Sequence, residues 1–299
     1  MEEGWRERTF FVSSLHFVTV ASDPHFGLDR LKESAVHHGL DLTVLGYGRP
    51  FQGKGSKFLY LAEFAASLPS SDLIVFTDAY DSVFLAGFER FDEVISQMDG
   101  DLIISAEQNL FMRGHPLFFP WQTFPIYLSY PNGPKPYMFL NSGTLVATAG
   151  RLASLCDEVG ITPDIDSDQT ALSRFFCRYP DRLTLDYRHE LMTCNGGRVG
   201  MEKTDYSWVE GRLRNNLTGT FPCVLHVPGK NEQSLCKILQ KAPFPVHRDP
   251  TETERDLYRK RSRVGRAVCA AGVDNYLARF LFWNVLLLMS LLLFFWVVS

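Results

Sequence analysis

The apolar positions of this chain fall into short blocks whose period switches between two and 3.6. Residues 16–21 (HFVTVA) form a β-branched run, and residues 28–38 carry helical spacing. Residues 41–46 (DLTVLG) alternate like a strand, and residues 57–68 place apolar side chains at 58, 61, 64, 65 and 68, one face of a helix. Residues 73–77 (LIVFT) are a short, fully apolar strand that ends in Asp78-Ala79-Tyr80-Asp81. A helix over 89–97 and a strand over 102–106 follow, and further on a strand-like region around YMF and TLVAT encloses a small polar turn at residues 140–143. Such alternation predicts a mostly parallel sheet flanked by helices, with ligands beyond the carboxyl ends of the strands. Residues 108–136, rich in Pro and Phe, read as a long functional loop.

The C-terminal pattern is different. In residues 281–298 only Asn284 and Ser290 are not apolar, and the apolar character runs round every face. With residues 277–280 added, such a helix spans about 30 Å of hydrocarbon. The expected organisation is therefore one domain over 10–240, a linker over 241–276 that is first Pro- and charge-rich and then basic, and a transmembrane helix over 277–298. Arg255, Arg259, Lys260, Arg261, Arg263 and Arg266 precede the apolar run, which by the positive-inside rule leaves the bulk of the chain cytosolic. Ala270-Ala271-Gly272 with the tail behind it also fits a GPI-attachment signal, which requires entry into the secretory pathway. The first 18 residues (MEEGWRERTFFVSSLHFV) lack the basic start and long uncharged core of a signal peptide. An endomembrane location, in the ER or Golgi, is expected, with the side left open.

Composition changes this picture little. Across 299 residues the 45 % apolar and 21 % charged content is ordinary, which excludes collagen-like, coiled-coil and wholly disordered classes. The net charge of −4 argues against a nucleic-acid partner. Six cysteines show neither CxxC nor zinc spacing, and the Asn216-Leu217-Thr218 sequon decides nothing by itself.

Two segments could serve a nucleotide. Residues 48–54 (GRPFQGK) fit GxxxxGK, but a P-loop needs Ser or Thr directly after the Lys to reach magnesium, and here Gly55 stands there. The second is the pair Asp78 and Asp81, whose carboxylates at a strand end can hold a hard divalent cation against a diphosphate. Later in the chain, Asp164, Asp166 and Asp168 precede Gln169 and a helical run, where carboxylates also cap helices. A further strand runs into His226, Val227, Pro228, Gly229 and Lys230, an imidazole followed by a cationic loop.

In order, the blocks VTVAS, LGYGRPFQGKGSKFLYL, DLIVFTDAYDSVFLAG, LIISAEQ, FLNSGTLVAT, DSDQ, LDYRHELMTCNGG and VLHVPGK resemble the glycosyltransferase domain of procollagen lysyl hydroxylases, over roughly residues 14–240. The resemblance implies an α/β, GT-A-type nucleotide-sugar fold that uses a UDP-sugar and Mn²⁺ (or Mg²⁺). It implies Asp78, Asp81 and His226 as metal ligands, Tyr80 and Phe51 near the nucleoside, and Val20, Ala21 and Ser22 along base and ribose. Lys57, Gly229 and Lys230 would approach the phosphates. Asn141, Ser167 and Asp168 would orient sugar and acceptor.

The chain also departs from that family. Phe51 falls where the family carries Trp, Ser167 replaces an aspartate beside Asp168, and the loop after SAE reads QNLFMRGHPLFFPW rather than carrying a Cys-Trp-Pro segment. Lys230 lies closer to His226 than the family's Lys does to its His. His247-Arg248-Asp249 fits the first part of an Fe(II) oxygenase site, yet no His follows it. The expected activity is transfer of glucose or galactose from a UDP-sugar to a hydroxyl on protein or glycan, with a hydroxylysine-linked glycan among the acceptors the resemblance admits. Two alternatives stay open: a P-loop-like NTPase, and a catalytically silent, membrane-tethered domain of the same fold that only binds.

Overall fold

The computed structural model describes residues 14–112, 125–196, 198–229, 231–244 and 251–270, and near the C-terminus only 284–285, 287–290 and 292–293. The first half alternates strand and helix as the pattern predicts: β1 (Leu15–Val20), α1 (Phe26–His37), β2 (Leu42–Leu45), α2 (Gly55–Ala66), β3 (Leu73–Thr77), β4 (Ser82–Phe84), α3 (Phe88–Ser96) and β5 (Leu102–Glu107). The second half holds β6 (Phe139–Thr148), α4 (Ala149–Val159), α5 (Asp168–Arg178), β7 (Thr184–Asp186), β8 (Met192–Cys194) and a single turn, α6 (Glu202–Asp205). It closes with the hairpin β9 (Tyr206–Val209) and β10 (Arg212–Asn215), then β11 (Val224–His226), α7 (Glu232–Ile238) and α8 (Glu252–Ala270).

The central sheet has the order β2-β1-β3-β6-β5-β7. All of its strands run parallel except β6, which is antiparallel to both β3 and β5. This is an α/β architecture, a mostly parallel sheet with one reversed strand. Helices cover both faces, so its strands are buried on both sides and read as continuous apolar runs. Alternate side chains go to opposite layers. Ile74, Phe76, Ile104 and Leu145 pack with Phe58, Leu61, Leu152 and Leu172 on the α2, α4 and α5 side. Phe17, Val75, Ile103 and Val146 pack with Leu31, Phe91 and Val94 on the α1 and α3 side. Phe17 and Phe91 meet edge to face at 4.9 Å, a geometry favoured by the ring quadrupoles. A second sheet, β4-β11-β8, abuts the first and carries His226 at its end.

The polar turn expected at 140–143 is instead part of one ten-residue strand, β6. Its register against β5 jumps, with Leu145 opposite Ile104 but Asn141 opposite Ser105, so residues 142–144 bulge out. A bulge bends the strand and re-aims side chains without ending the pairing.

The apolar segment expected to span a membrane, 277–298, lies largely outside the described residues. Among the described residues no helix is long and apolar enough to cross a membrane. In the stretch read as a linker, Phe244 is buried against His37 and His38 of α1. Residues 252–270 form α8, docked through the Tyr258 hydroxyl, which donates to Glu202 Oε2 at 2.9 Å.

One buried ion pair ties α7 to α1. Arg30 is fully buried and its guanidinium grips Glu232, with Nη2 3.2 Å from Oε2 and 3.2 Å from the Tyr80 carbonyl. Removing one partner of a buried pair strands the other charge. Arg30→Met is expected to lower the unfolding free energy by about 3–5 kcal/mol, read as a shift of the urea midpoint at constant slope. The double replacement Arg30→Met with Glu232→Met is expected to cost less than Arg30→Met alone.

Candidate active site

Four strand ends converge on one cavity of about 840 Å³, within the range of small-molecule sites. Asp78 follows the last residue of β3 and Asp81 precedes the first of β4, so the intervening Ala79-Tyr80 makes a tight connection between the two sheets. The connection lies close against α1: a Cβ at Gly27 would stand 2.0 Å from the Tyr80 carbonyl oxygen. His226 ends β11, paired with Ser82 and Cys194.

The three side chains face each other. His226 Nε2 lies 3.3 Å from Asp81 Oδ1 and 3.8 Å from Asp78 Oδ2, and one ligand atom from each residue falls within 4.8 Å of the others. His226 Nδ1 donates to Asn141 Oδ1 at 3.1 Å, and that oxygen also accepts the Gly143 N–H at 2.9 Å. An acceptor oxygen on Nδ1 turns the Nε2 lone pair toward the carboxylates, the orientation second-shell partners give metal-ligating imidazoles. Nε2 is buried and makes no directed hydrogen bond. A buried ring nitrogen with two carboxylates around it is a donor set that fits a divalent cation. Gly143 is required here, because a Cβ would stand 2.1 Å from His226 Cε1.

Lys57, on the first turn of α2, is the charge that binds the carboxylates together. Its ammonium donates to Asp168 Oδ2 at 2.7 Å, Asp78 Oδ1 at 3.0 Å and the Ser142 carbonyl at 3.3 Å. Burial works against the charged ammonium, but Asp168 and Asp78 outweigh it and raise its pKa. Asp168 opens α5, accepts a 3.0 Å hydrogen bond from Ser142 Oγ, and is held ionised by Lys57 against the effect of burial. Burial raises the pKa of Asp78 in spite of Lys57 and His226, whereas His226 overcomes burial to lower that of Asp81. The same pairing raises His226, again against burial.

Val20, Ser22, Phe51, Lys57, Tyr80, Asn141, Asp168 and Gly229 line the cavity together with Asp78, Asp81 and His226. Ala21 does not line it; it is buried in a small cluster with Leu28 and Ala79. Ser167 does not line it either: its hydroxyl caps α5, accepting the Thr170 N–H at 3.2 Å. Lys230 lies outside the described residues. Both ends of the Asn141 amide are spent within the protein, on His226 and Gly143 at one end and Glu107 at the other. The GxxxxGK segment does lie between a strand and a helix, yet a Cβ at Gly55 would stand 1.9 Å from the Thr162 carbonyl. The position after Lys54 therefore has no room for the hydroxyl a P-loop needs.

Glu107 was not singled out by sequence reasoning. It ends β5, and its Oε1 accepts from Asn141 Nδ2 at 3.0 Å and Gln169 Nε2 at 2.6 Å. The sequence signal is the one that exposed Asp78: an apolar strand ending in an acid at the ligand-binding edge. His189 Nε2 donates to the Ala106 carbonyl at 2.8 Å and fixes this strand end. Gln169, Asn109 and Phe111 also line the cavity, as does Lys54 of the GxxxxGK segment.

Comparison with known proteins bears on this arrangement. Residues 12–241 match the family described as PLOD GT domain. Procollagen-lysine,2-oxoglutarate 5-dioxygenase 1 of Mus musculus is 25 % identical over 236 residues, covering 74 % of this chain and 31 % of that protein. The Drosophila melanogaster procollagen-lysine,2-oxoglutarate 5-dioxygenase is 26 % identical over 251 residues, covering 78 % and 32 %. This chain thus spans about a third of the length of these curated relatives. Among solved structures, a glycosyltransferase involved in glycosylation of the major capsid of PBCV-1 aligns with a TM-score of 0.41 at 12 % identity, covering 76 % of this chain and 98 % of that one. Apo mouse xyloside xylosyltransferase 1 aligns with a TM-score of 0.40 at 12 % identity, covering 71 % and 97 %.

Burial pushes the Glu107 pKa up from 4.5 to about 7, in spite of the Asn141 and Gln169 donors. The folded chain therefore holds this proton across a window in which the unfolded chain releases it, and stability falls as pH rises through that window. Glu107→Gln keeps both accepted hydrogen bonds and removes the titration. With chelator present, it is expected to gain about 3 kcal/mol of stability relative to wild type between pH 4.5 and pH 8, measured by urea unfolding at both pH values.

Proposed function

The chain belongs to the PLOD GT domain family, and from that membership we propose that it is a metal-dependent hexosyltransferase that moves glucose or galactose from a UDP-sugar to a hydroxyl acceptor on protein or glycan. The observation that carries the reading is the triad of Asp78, Asp81 and His226, with the buried Nε2 facing both carboxylates, inside a cavity sized for a small molecule. These three residues would hold Mn²⁺ or Mg²⁺. When bound, such a cation neutralises charge on a departing diphosphate.

The remaining roles follow from side chains of this chain. Asn141 keeps the His226 ring aligned and its Nε2 directed at the carboxylates. Asp168, ionised beside Lys57, is a fixed negative charge facing the cavity, suited to the positive charge that develops at an anomeric carbon as its bond to the leaving oxygen lengthens. Glu107 and Gln169 present polar atoms where sugar hydroxyls would lie. Val20, Ser22 and Tyr80 would receive the nucleoside, with Phe51 at the exposed rim.

Asp78→Asn combined with Asp81→Asn is expected to abolish Mn²⁺-dependent thermal stabilisation by UDP-glucose and UDP-galactose. The pair should also lower donor hydrolysis by at least about 100-fold. Wild-type protein that shows no Mn²⁺-dependent shift with any UDP-sugar would sink the reading.

Residues 277–298 are proposed as the membrane anchor that keeps the enzyme at endomembranes of the ER or Golgi. Supporting this are the apolar run itself and the exposure of Val285, Leu287, Leu288, Met289, Leu292 and Leu293. The full chain is expected to stay with membranes through alkaline carbonate extraction, and a chain lacking 277–299 to be released. Release of the full chain would overturn the anchor.

A further inference from the structure

Resting on the UDP-sugar reading, we infer that Lys54, rather than Lys57, is the lysine that meets the donor's phosphates. An ammonium has three N–H donors. In Lys57 these serve Asp168 at 2.7 Å, Asp78 at 3.0 Å and the Ser142 carbonyl at 3.3 Å. Turning Lys57 toward a phosphate would remove the counter-charge from a carboxylate that is itself nearly buried, which is costly. It is occupied in holding the site together.

Lys54 lines the same cavity, is exposed, and makes no salt bridge among the described residues. It is near enough for its charge to help lower the pKa of Asp168, so its ammonium acts on the cavity interior as well as on solvent. Its place in the backbone is fixed by the glycines on either side. A Cβ at Gly53 would lie 3.0 Å from Asp164 Cα, and one at Gly55 would lie 1.9 Å from the Thr162 carbonyl. The Gly-Lys-Gly turn is thus pressed against residues 162–164 while the lysine itself is exposed at the cavity. A diphosphate entering a cavity floored by Asp78, Asp81 and Asp168 meets repulsion that one divalent cation only partly offsets. Among the described residues lining the cavity, Lys54 is the exposed positive charge that can offset the rest. The GxxxxGK match in the sequence thus finds a physical meaning without a P-loop: a lysine at the start of a helix, presented to an anion.

The test is isothermal titration of the full chain in detergent with UDP and with uridine, in the presence of Mn²⁺. Lys54→Met is expected to weaken UDP binding about tenfold, the loss of one charge-assisted contact, while uridine binding and the melting temperature stay as in wild type. Lys54→Arg is expected to keep most of the UDP affinity. Unchanged UDP affinity in Lys54→Met overturns the assignment, as does an equal loss for UDP and uridine, which would mean a displaced loop. Wild-type protein that binds UDP no better than uridine overturns the donor reading, and this inference with it.

Discussion

The ammonium of Lys57, buried between Asp78 and Asp168, is the interaction on which the rest of the site depends. Carboxylates brought this close repel one another and lose their hydration, so their assembly needs a counter-charge that cannot be washed away. Lys57 supplies it, and its effects are uneven. Asp168 gains most from the lysine and stays ionised; Asp78, more affected by lost solvation, takes up a proton more readily. His226 does for Asp81 what Lys57 does for Asp168. The cluster still carries more negative than positive charge, and that excess is why a divalent cation suits it.

The fold delivers these groups by ending its strands along one edge. β3 brings Asp78, β5 brings Glu107, β11 brings His226 and the start of α5 brings Asp168. The bulge in β6 completes the set. It places the Ser142 carbonyl on Lys57, the Ser142 hydroxyl on Asp168 and the Asn141 amide between His226 and Glu107. The Asp78 N–H also donates to the Gly143 carbonyl at 2.7 Å, so bulge and metal loop are stitched together. Three residues of one irregular stretch thereby set the geometry of groups from five other elements.

The sheet and its helices were legible because a doubly covered strand leaves a plain mark, a short apolar run bounded by polar turns. Asp78 and Asp81 were legible for the same reason, since acids directly after such a run stand at the ligand-binding edge. Glu107 carries the same mark less visibly, because a single acid lacks the partner that makes the pair conspicuous. The job of Lys57 was not legible, for its partners lie 21 and 111 residues away and only the packed sheet brings them together. Nor could the bulge be read, because it is a property of register between two strands and appears in neither alone. Ser167 illustrates the opposite error: a residue conspicuous against the family pattern performs the ordinary work of an N-cap.

The departures from the family pattern are therefore not spread evenly over the site. Ser167 stands off the cavity, while Phe51 and the Phe111 of the altered loop stand at its mouth, 47 % and 52 % exposed. The floor, where charges must balance to within an ångström or so, holds Asp78, Asp81, Asp168, His226 and Lys57 in one network of ion pairs. Exposed aromatic faces tolerate replacement, because stacking depends on area and approach rather than on a fixed network of hydrogen bonds. A charged floor of interlocking ion pairs constrains its residues far more tightly than an exposed aromatic mouth does, so the mouth is where the molecules admitted to the site can be changed at least cost.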